Sequence, residues 1–216
     1  MNISTLARVA STCVAGLCLG ALSACSALNP APPPHPVFYA LDGPQYIAPI
    51  VVTANAPTLI INPPHAAAGY DSPRIIYVRE AYKLEYFANS AWVEPPARML
   101  APLLVAAVAN TGAFASVAQK PGTAAGDLRM DTEVIRLQHD FRTRPSQVRF
   151  TLRVHLVDSK TRRVLAWREF DATASAASED PYGGVVAANS VVQTVLSRVA
   201  IFCAEQTHNT PNGNNP

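Results

Sequence analysis

Between Val148 and Leu156 the chain alternates without a break: Val148, Phe150, Leu152, Val154 and Leu156 are interleaved with Arg149, Thr151, Arg153 and His155. A period of two is the signature of a strand with one buried face and one wet face. This stretch therefore demands a sheet, and its flanks read as neighbours. Leu128, Met130, Thr132 and Val134 alternate in the same way before Ile135 and Leu137 break phase, which predicts a β-bulge. Val164 to Thr173 reads as a third strand, entered through the basic turn Lys160-Thr161-Arg162-Arg163. The three segments predict an antiparallel meander.

The first half of the chain reads as shorter pieces. Val37 to Leu41 is a short strand pattern closed by Asp42-Gly43-Pro44, and Ile47 to Thr53 is a second short strand or an irregular edge. Thr58 to Asn62 is apolar and β-branched and stops at Pro63-Pro64, followed by a loop through Gly69. Arg74 to Glu80 reads as a strand and Lys83 to Phe87 as its hairpin partner, although Ala81-Tyr82 is a poor tight-turn sequence. After Pro95-Pro96 a helix is predicted over Ala97 to Asn110, ending at Gly112, with Leu100, Leu103, Leu104, Ala107 and Val108 on its apolar stripe. Pro102 conflicts with a helix interior, so this helix either begins near Ala101 or bends there. A last helix opens at Tyr182-Gly183-Gly184. Val185, Ala188, Val192, Val195, Val199 and Phe202 form its stripe, with Asn189, Gln193, Ser197 and Arg198 outside. Cys203 sits at the edge of that stripe as a small packed hydrophobe.

The N-terminus sets the compartment. Met1 to Arg8 carries one charge, Arg8, and Val9 to Ala24 runs without any, in the positive, apolar, small order of an export signal. Sixteen residues fall short of the roughly 20 that span a bilayer as a helix. Leu22-Ser23-Ala24-Cys25 closes that run and resembles a bacterial lipobox. That resemblance implies cleavage before Cys25, S-linked diacylglycerol on its thiol and N-acylation of its new amino group. More than one acyl chain gives lasting membrane attachment. Cys13 and Cys18 leave with the signal and Cys25 is blocked by lipid, so Cys203 remains alone and the mature chain forms no internal disulfide. Ser26, rather than Asp, follows the lipid cysteine, which by the same resemblance favours the outer membrane, periplasmic face. Ser26 to Pro36 is proline-dense and extended, and at about 3.1 Å per residue it could span roughly 34 Å. The expected organisation is a signal peptide over 1–24, a lipidated tether over 25–36, a folded domain over 37–206 and a disordered tail over 207–216.

Composition and motifs exclude several functions. Of the 216 residues, 49% are hydrophobic and 15% charged, which is globular, and 17 basic against 15 acidic residues leave no uncompensated charge for nucleic acid. His35, His65, His139, His155 and His208 are scattered without metal-ligand spacing, and there is no Gly-x-Ser-x-Gly elbow, phosphate loop or dinucleotide glycine run. Asp131 and Glu133 share a strand face and read as solvated carboxylates. No cofactor, no metal and no enzymatic activity are expected. Arg149, Arg153 and His155 form a partly basic face suited to an acidic partner. Tyr77, Tyr82, Tyr86 and Trp92 are aromatic candidates for contact, with Tyr77 and Trp92 in segments expected to be buried.

Several stretches, in order, resemble the ABC-type transport auxiliary lipoproteins: Phe38-Tyr39-Ala40-Leu41-Asp42, Arg74-Ile75-Ile76-Tyr77, Ala91-Trp92-Val93-Glu94-Pro95-Pro96, Asp127-Leu128-Arg129-Met130 and Gly184-Val185-Val186-Ala187-Ala188. The resemblance implies a single α/β domain with a mixed, mostly antiparallel sheet flanked by helices, like the TolB N-terminal domain and anticodon-binding domains. It implies a non-enzymatic outer-membrane subunit of an envelope lipid transport system, docking a periplasm-spanning MCE-domain protein that works with an ABC transporter; a homo-oligomer is compatible with such an assembly. Tyr82, Tyr86, Arg149 and Arg153 are the expected contact residues, and Cys25 the lipid site. Two rival readings remain: a free-standing periplasmic carrier of lipid or lipoprotein, which requires an apolar cavity in place of a filled core, and an envelope hydrolase, which the missing nucleophile and base pair disfavour.

Overall fold

The longest strands of the structure lie where the alternation is cleanest. A computed structural model describes residues 35–43, 47, 55–119 and 126–209; the signal run, Cys25, the tether up to residue 34 and residues 48–54 lie outside the described residues. In chain order the elements are β1 (Val37–Tyr39), β2 (Thr58–Ile61), β3 (His65–Ala66), β4 (Arg74–Val78), β5 (Glu85–Trp92), helix α1 (Pro96–Ala109), β6 (Ser116–Gln119), β7 (Leu128–Asp140), β8 (Gln147–Asp158), β9 (Val164–Ser175) and helix α2 (Pro181–Asn209).

All the strands belong to one nine-stranded mixed sheet. β7, β8 and β9 form the expected antiparallel meander. On its other side β7 is too long for any one neighbour, and three short strands share it. β2 runs parallel to its start (Leu59 beside Leu128), β3 to its middle (His65 beside Glu133) and β4 to its end (Tyr77 beside His139). β6 extends β2 in parallel, β5 pairs antiparallel with β4, and β1 lies parallel to β5. The parallel crossovers were implied only by the family resemblance.

The predicted bulge is present. Register between β7 and β8 shifts between Val134 and Arg136, so the buried positions change from Leu128, Met130, Thr132 and Val134 to Leu137 and His139. One extra residue turns the strand through one side-chain position, which keeps its apolar groups on the core face.

That face is covered by α1 and α2, which also pack against each other. In α2, Val185, Ala188, Val192, Val195, Val199 and Phe202 are all buried. The helix is long and apolar enough to cross a membrane by composition, but this stripe lies in the sheet core. Cys203 is fully buried with its Sγ 3.6 Å from Met130 Sδ, and burial pushes its thiol up to about 12.

Six details differ from expectation. α1 starts at Pro96, with Pro102 inside it rather than at its start. Pro102 and Arg98, whose carbonyl the proline cannot serve, are both exposed, so the missing bond falls on the solvent side. The stretch before Gly69 contains β3, and β6 was not anticipated, because Ser116-Val117-Ala118-Gln119 carries almost no strand signal. β5 runs on to Trp92, well beyond Phe87. α2 continues through residues 207–209, so the helix outlasts the expected domain end at residue 206. Asn189, expected on the outer side, is half-buried: its Oδ1 accepts from Asp42 N (2.6 Å) and its Nδ2 donates to Ala40 O (3.3 Å), tying the segment after β1 to α2.

Three outcomes follow from this packing. An alanine Cβ at Gly183 would overlap the Ser178 backbone and one at Gly184 would overlap the His139 ring. Alanine at either site should therefore lower Tm, although Gly-to-Ala in an open helix stabilises by about 1 kcal/mol. Asp127 Oδ2 accepts from Thr58 N and Oγ1 (both 2.8 Å), clamping the starts of β2 and β7, and these hydrogen bonds hold its carboxyl below the usual range. A carboxyl depressed on folding adds stability above its unfolded pKa and loses it as pH falls through the folded value. Asp127→Asn should thus melt a few degrees lower at neutral pH, with the gap to the parent closing in acid, as read by thermal melts across pH. Native Cys203 should resist a thiol reagent such as DTNB and react only after denaturant is added.

Candidate interaction surface

The strand faces turned away from the helices form an open, polar surface. Register places Glu133, Arg153 and Glu169 side by side across β7, β8 and β9. Arg153 spans both acids, with Nη1 3.0 Å from Glu133 Oε2 and Nη2 3.0 Å from Glu169 Oε2. Arg149 Nε donates to Asp171 Oδ1 at 2.9 Å, and Thr151 Oγ1 donates to the same oxygen. Burial pushes the Asp171 carboxyl up, but the hydrogen bonds from Arg149 and Thr151 outweigh it and hold the group low; the same bond raises Arg149. Asp131 accepts from Asn62 Nδ2 (2.6 Å) and Arg129 Nε (3.0 Å). Asp131 and Glu133 are therefore structural partners of basic and amide groups. Exposed pairs of this kind contribute only about 0–1 kcal/mol, so Arg149 and Arg153 stay exchangeable with outside carboxylates.

The β4–β5 hairpin forms the second part. Tyr82 sits at its turn with φ of 67° and its side chain wholly in solvent. Tyr86 is half-exposed beneath the Arg74 guanidinium, whose carbon lies 4.1 Å from the ring centroid. Tyr77 and Trp92 turn inward as expected: Trp92 is buried, and the Tyr77 ring lies 4.6 Å from Phe87 and 5.8 Å from Phe141. Tyr86 pairs with Ile76, β4 pairs with the end of β7, and Gln138 of β7 pairs with Arg149. Tyr86 and Arg149 thus share one face, about 14 Å apart at the usual interstrand spacing. Tyr70 lies between them, its OH hydrogen-bonded to Gln138 Oε1. Tyr82 stands apart, at the turn.

Two open clefts flank Leu84. One, of about 350 Å³, is bordered by Arg74, Ile76 and Tyr86; the other, of about 280 Å³, by Tyr82, Arg136 and Gln138. Behind them, among Ile75, Trp92, Leu137, His139 and Ala188, the core holds a cavity of only about 10 Å³.

Among the described residues one arrangement has a catalytic look, and it was not visible in the sequence. His139 Nε2 lies 2.8 Å from Ser146 Oγ. Nucleophilic catalysis requires a serine that substrate can reach and an imidazole oriented from its other nitrogen. Ser146 and His139 are 0% and 2% exposed, and the nearby carboxylate of Glu179 accepts from the Ser146 backbone N–H at 2.8 Å. His139 Nδ1 meets no partner among the described residues. Burial lowers the pKa of His139 against the opposing charges of Glu179, Asp180 and Asp140, so it packs as a neutral ring 4.0 Å from Phe141. The pair locks the β7–β8 turn to the start of α2.

Comparison with known proteins agrees with this architecture. A crystal structure of a Xanthomonas campestris protein of the DUF330 family superposes with a TM-score of 0.70 at 23% identity, covering 81% of this chain and 99% of that one. A second crystallised protein, uncharacterised, gives 0.61 at 12% identity, covering 79% and 99%. At these identities the likeness is one of fold. No curated protein matches the chain. The family described as ABC-type transport auxiliary lipoprotein component matches residues 39–200, from the end of β1 into α2. The chain belongs to the ABC-type transport auxiliary lipoprotein component family.

Proposed function

We propose that this protein is a non-enzymatic lipoprotein, acylated at Cys25 and held on the periplasmic face of the outer membrane, that docks a periplasm-spanning MCE-domain partner of an ABC-type lipid transport system. The observation that carries this reading is the family match over residues 39–200, joined to an N-terminus in which Leu22-Ser23-Ala24-Cys25 closes an uncharged run. The family is one of transport auxiliary components, which is not a class of enzyme.

The filled core favours docking over carriage. A free-standing carrier has to shelter an acyl chain in a pocket of roughly 300 Å³ or more. Among the described residues the core cavity is far smaller, and the two larger clefts are open and bordered by Arg74 and Arg136. A docking module needs a stable scaffold with an exposed, exchangeable surface, and Tyr82, Tyr86, Arg149 and Arg153 supply aromatic area and weakly committed charge on one. Confinement to a membrane raises the effective concentration of each partner, so modest pairwise affinity is enough.

Mass spectrometry of the processed chain should find Cys25 at the N-terminus carrying S-diacylglyceryl and N-acyl groups; a bare thiol there would remove the anchor from the proposal. With the tether intact, an MCE-domain protein should copurify. Deleting residues 26–36 should impair transport and leave the thermal melt of the domain unchanged. Normal envelope integrity in that deletion strain would sink the role of the tether.

A further inference from the structure

We propose that the turn joining β8 to β9 is a membrane-contact element that binds the surface of a bilayer carrying anionic headgroups. In the middle of the meander's open face cations are matched by acids: Arg129 by Asp131, Arg149 by Asp171, and Arg153 by Glu133 and Glu169. Arg74 and Arg136, toward the β4–β5 hairpin, are single cations beside the clefts, whereas three unpaired cations cluster at the turn. Lys160, Arg162 and Arg163 are all exposed and make no ion pair among the described residues. The nearest acid, Asp158, is engaged by the turn itself, its Oδ1 accepting from Thr161 N (2.6 Å) and Thr161 Oγ1 (2.8 Å).

The turn is also rigid. Asp158 N donates to Arg163 O at 2.9 Å, Arg162 N to Asp158 O at 2.8 Å, and Ser159 N to Asp127 O at 3.0 Å. The cations are therefore held on a fixed backbone. Directly after them come three exposed apolar residues, Val164, Leu165 and Trp167, the last 62% exposed and backed by the His155 ring at 6.1 Å. Cations beside an exposed tryptophan and aliphatic groups match the headgroup region, where phosphates meet the first methylenes and indole rings settle. An acidic peptide would fit the same charge, but it needs a groove. The two open clefts described above lie around Leu84 instead, and the turn caps the end of the β8–β9 pair.

The position extends the reading. β1 enters beside the end of β5, and through β4 this is level with Leu137 of β7, whereas the turn follows Asp158, the partner of Leu128. Nine strand residues, about 30 Å at 3.3 Å each, separate the two levels. The domain thus has a membrane-seeking point well away from where its tether joins. This contact does not depend on acylation, so its failure would leave the docking proposal standing.

The test uses the mature-length chain with Cys25→Ala, which lacks the acyl acceptor. Only two tryptophans are present, and Trp92 is buried, so emission reports Trp167. Vesicles of equal parts phosphatidylcholine and phosphatidylglycerol should shift that emission to the blue and bring the protein down on sedimentation. Phosphatidylcholine alone should do neither, and added salt should weaken the effect. The triple variant Lys160→Gln, Arg162→Gln, Arg163→Gln should bind on the order of 100-fold more weakly, at about fivefold per cation. Trp167→Ser should weaken binding too, with unchanged circular dichroism in both variants. Unchanged emission with the anionic vesicles would overturn the assignment, as would a triple variant that binds like its parent; a turn that docks only an acidic protein would give the first of these results.

Discussion

Everything in this fold is registered against β7. Its 13 residues present more backbone donors and acceptors than any one short strand can pair, and leaving them unpaired in the interior costs free energy for each group. β8 satisfies one edge throughout, and β2, β3 and β4 divide the other. Each of these short strands brings its own neighbour or loop, so β7 sets the position of the β4–β5 hairpin, the β2–β6 pair and the segment carrying Tyr70. The bulge after Val134 is what allows a strand of this length to keep one face on the core while the sheet twists.

The consequence is a molecule with two unlike faces. One is apolar and covered by α1 and α2, and the cavity it holds among the described residues is too small for a lipid chain. The other is a lattice of exposed ion pairs and half-exposed aromatics. Burial has silenced the groups that could have been reactive: the Cys203 thiol is pushed up to about 12, and the Ser146–His139 pair faces α2 instead of solvent. A scaffold of this kind presents surface, in keeping with membership of a transport auxiliary family, which is not a class of enzyme. Its exposed features are separated along the sheet. Tyr82 and Tyr86 lie at the β4–β5 end, the acid-matched arginines in the middle, and an unmatched basic turn beside Trp167 at the far end.

The meander, both helices and the bulge were legible from residue order because each carries its own periodicity. Leu128 to Val134 and Val148 to Leu156 alternate strongly enough to name their buried face, and Val185 to Phe202 repeats at helical spacing. The hairpin held in spite of Ala81-Tyr82, since Tyr82 itself adopts the positive φ that glycine would ordinarily supply. β3 and β6 were not legible: with two and four residues, they exist only because β7 and β2 offer them an edge. Residue order left Pro102 open between a helix start near Ala101 and a bend; the start at Pro96 excludes the first, because the cost of a proline in a helix depends on which side the orphan carbonyl faces, and that requires knowing where the core lies.

What residue order determined by itself was local: periods of two and of 3.6, the uncharged run before Cys25, and a packed rather than reactive Cys203. Those rest on interactions spanning only a few positions. What the tertiary structure decided was pairing at a distance: which cations on the open face find acids, and that Arg149 and Arg153 are already engaged while Lys160, Arg162 and Arg163 make no ion pair among the described residues. Charge partners of this sort meet across strands far apart in sequence, and only the register of the sheet, fixed by burial of the opposite face, brings them within reach.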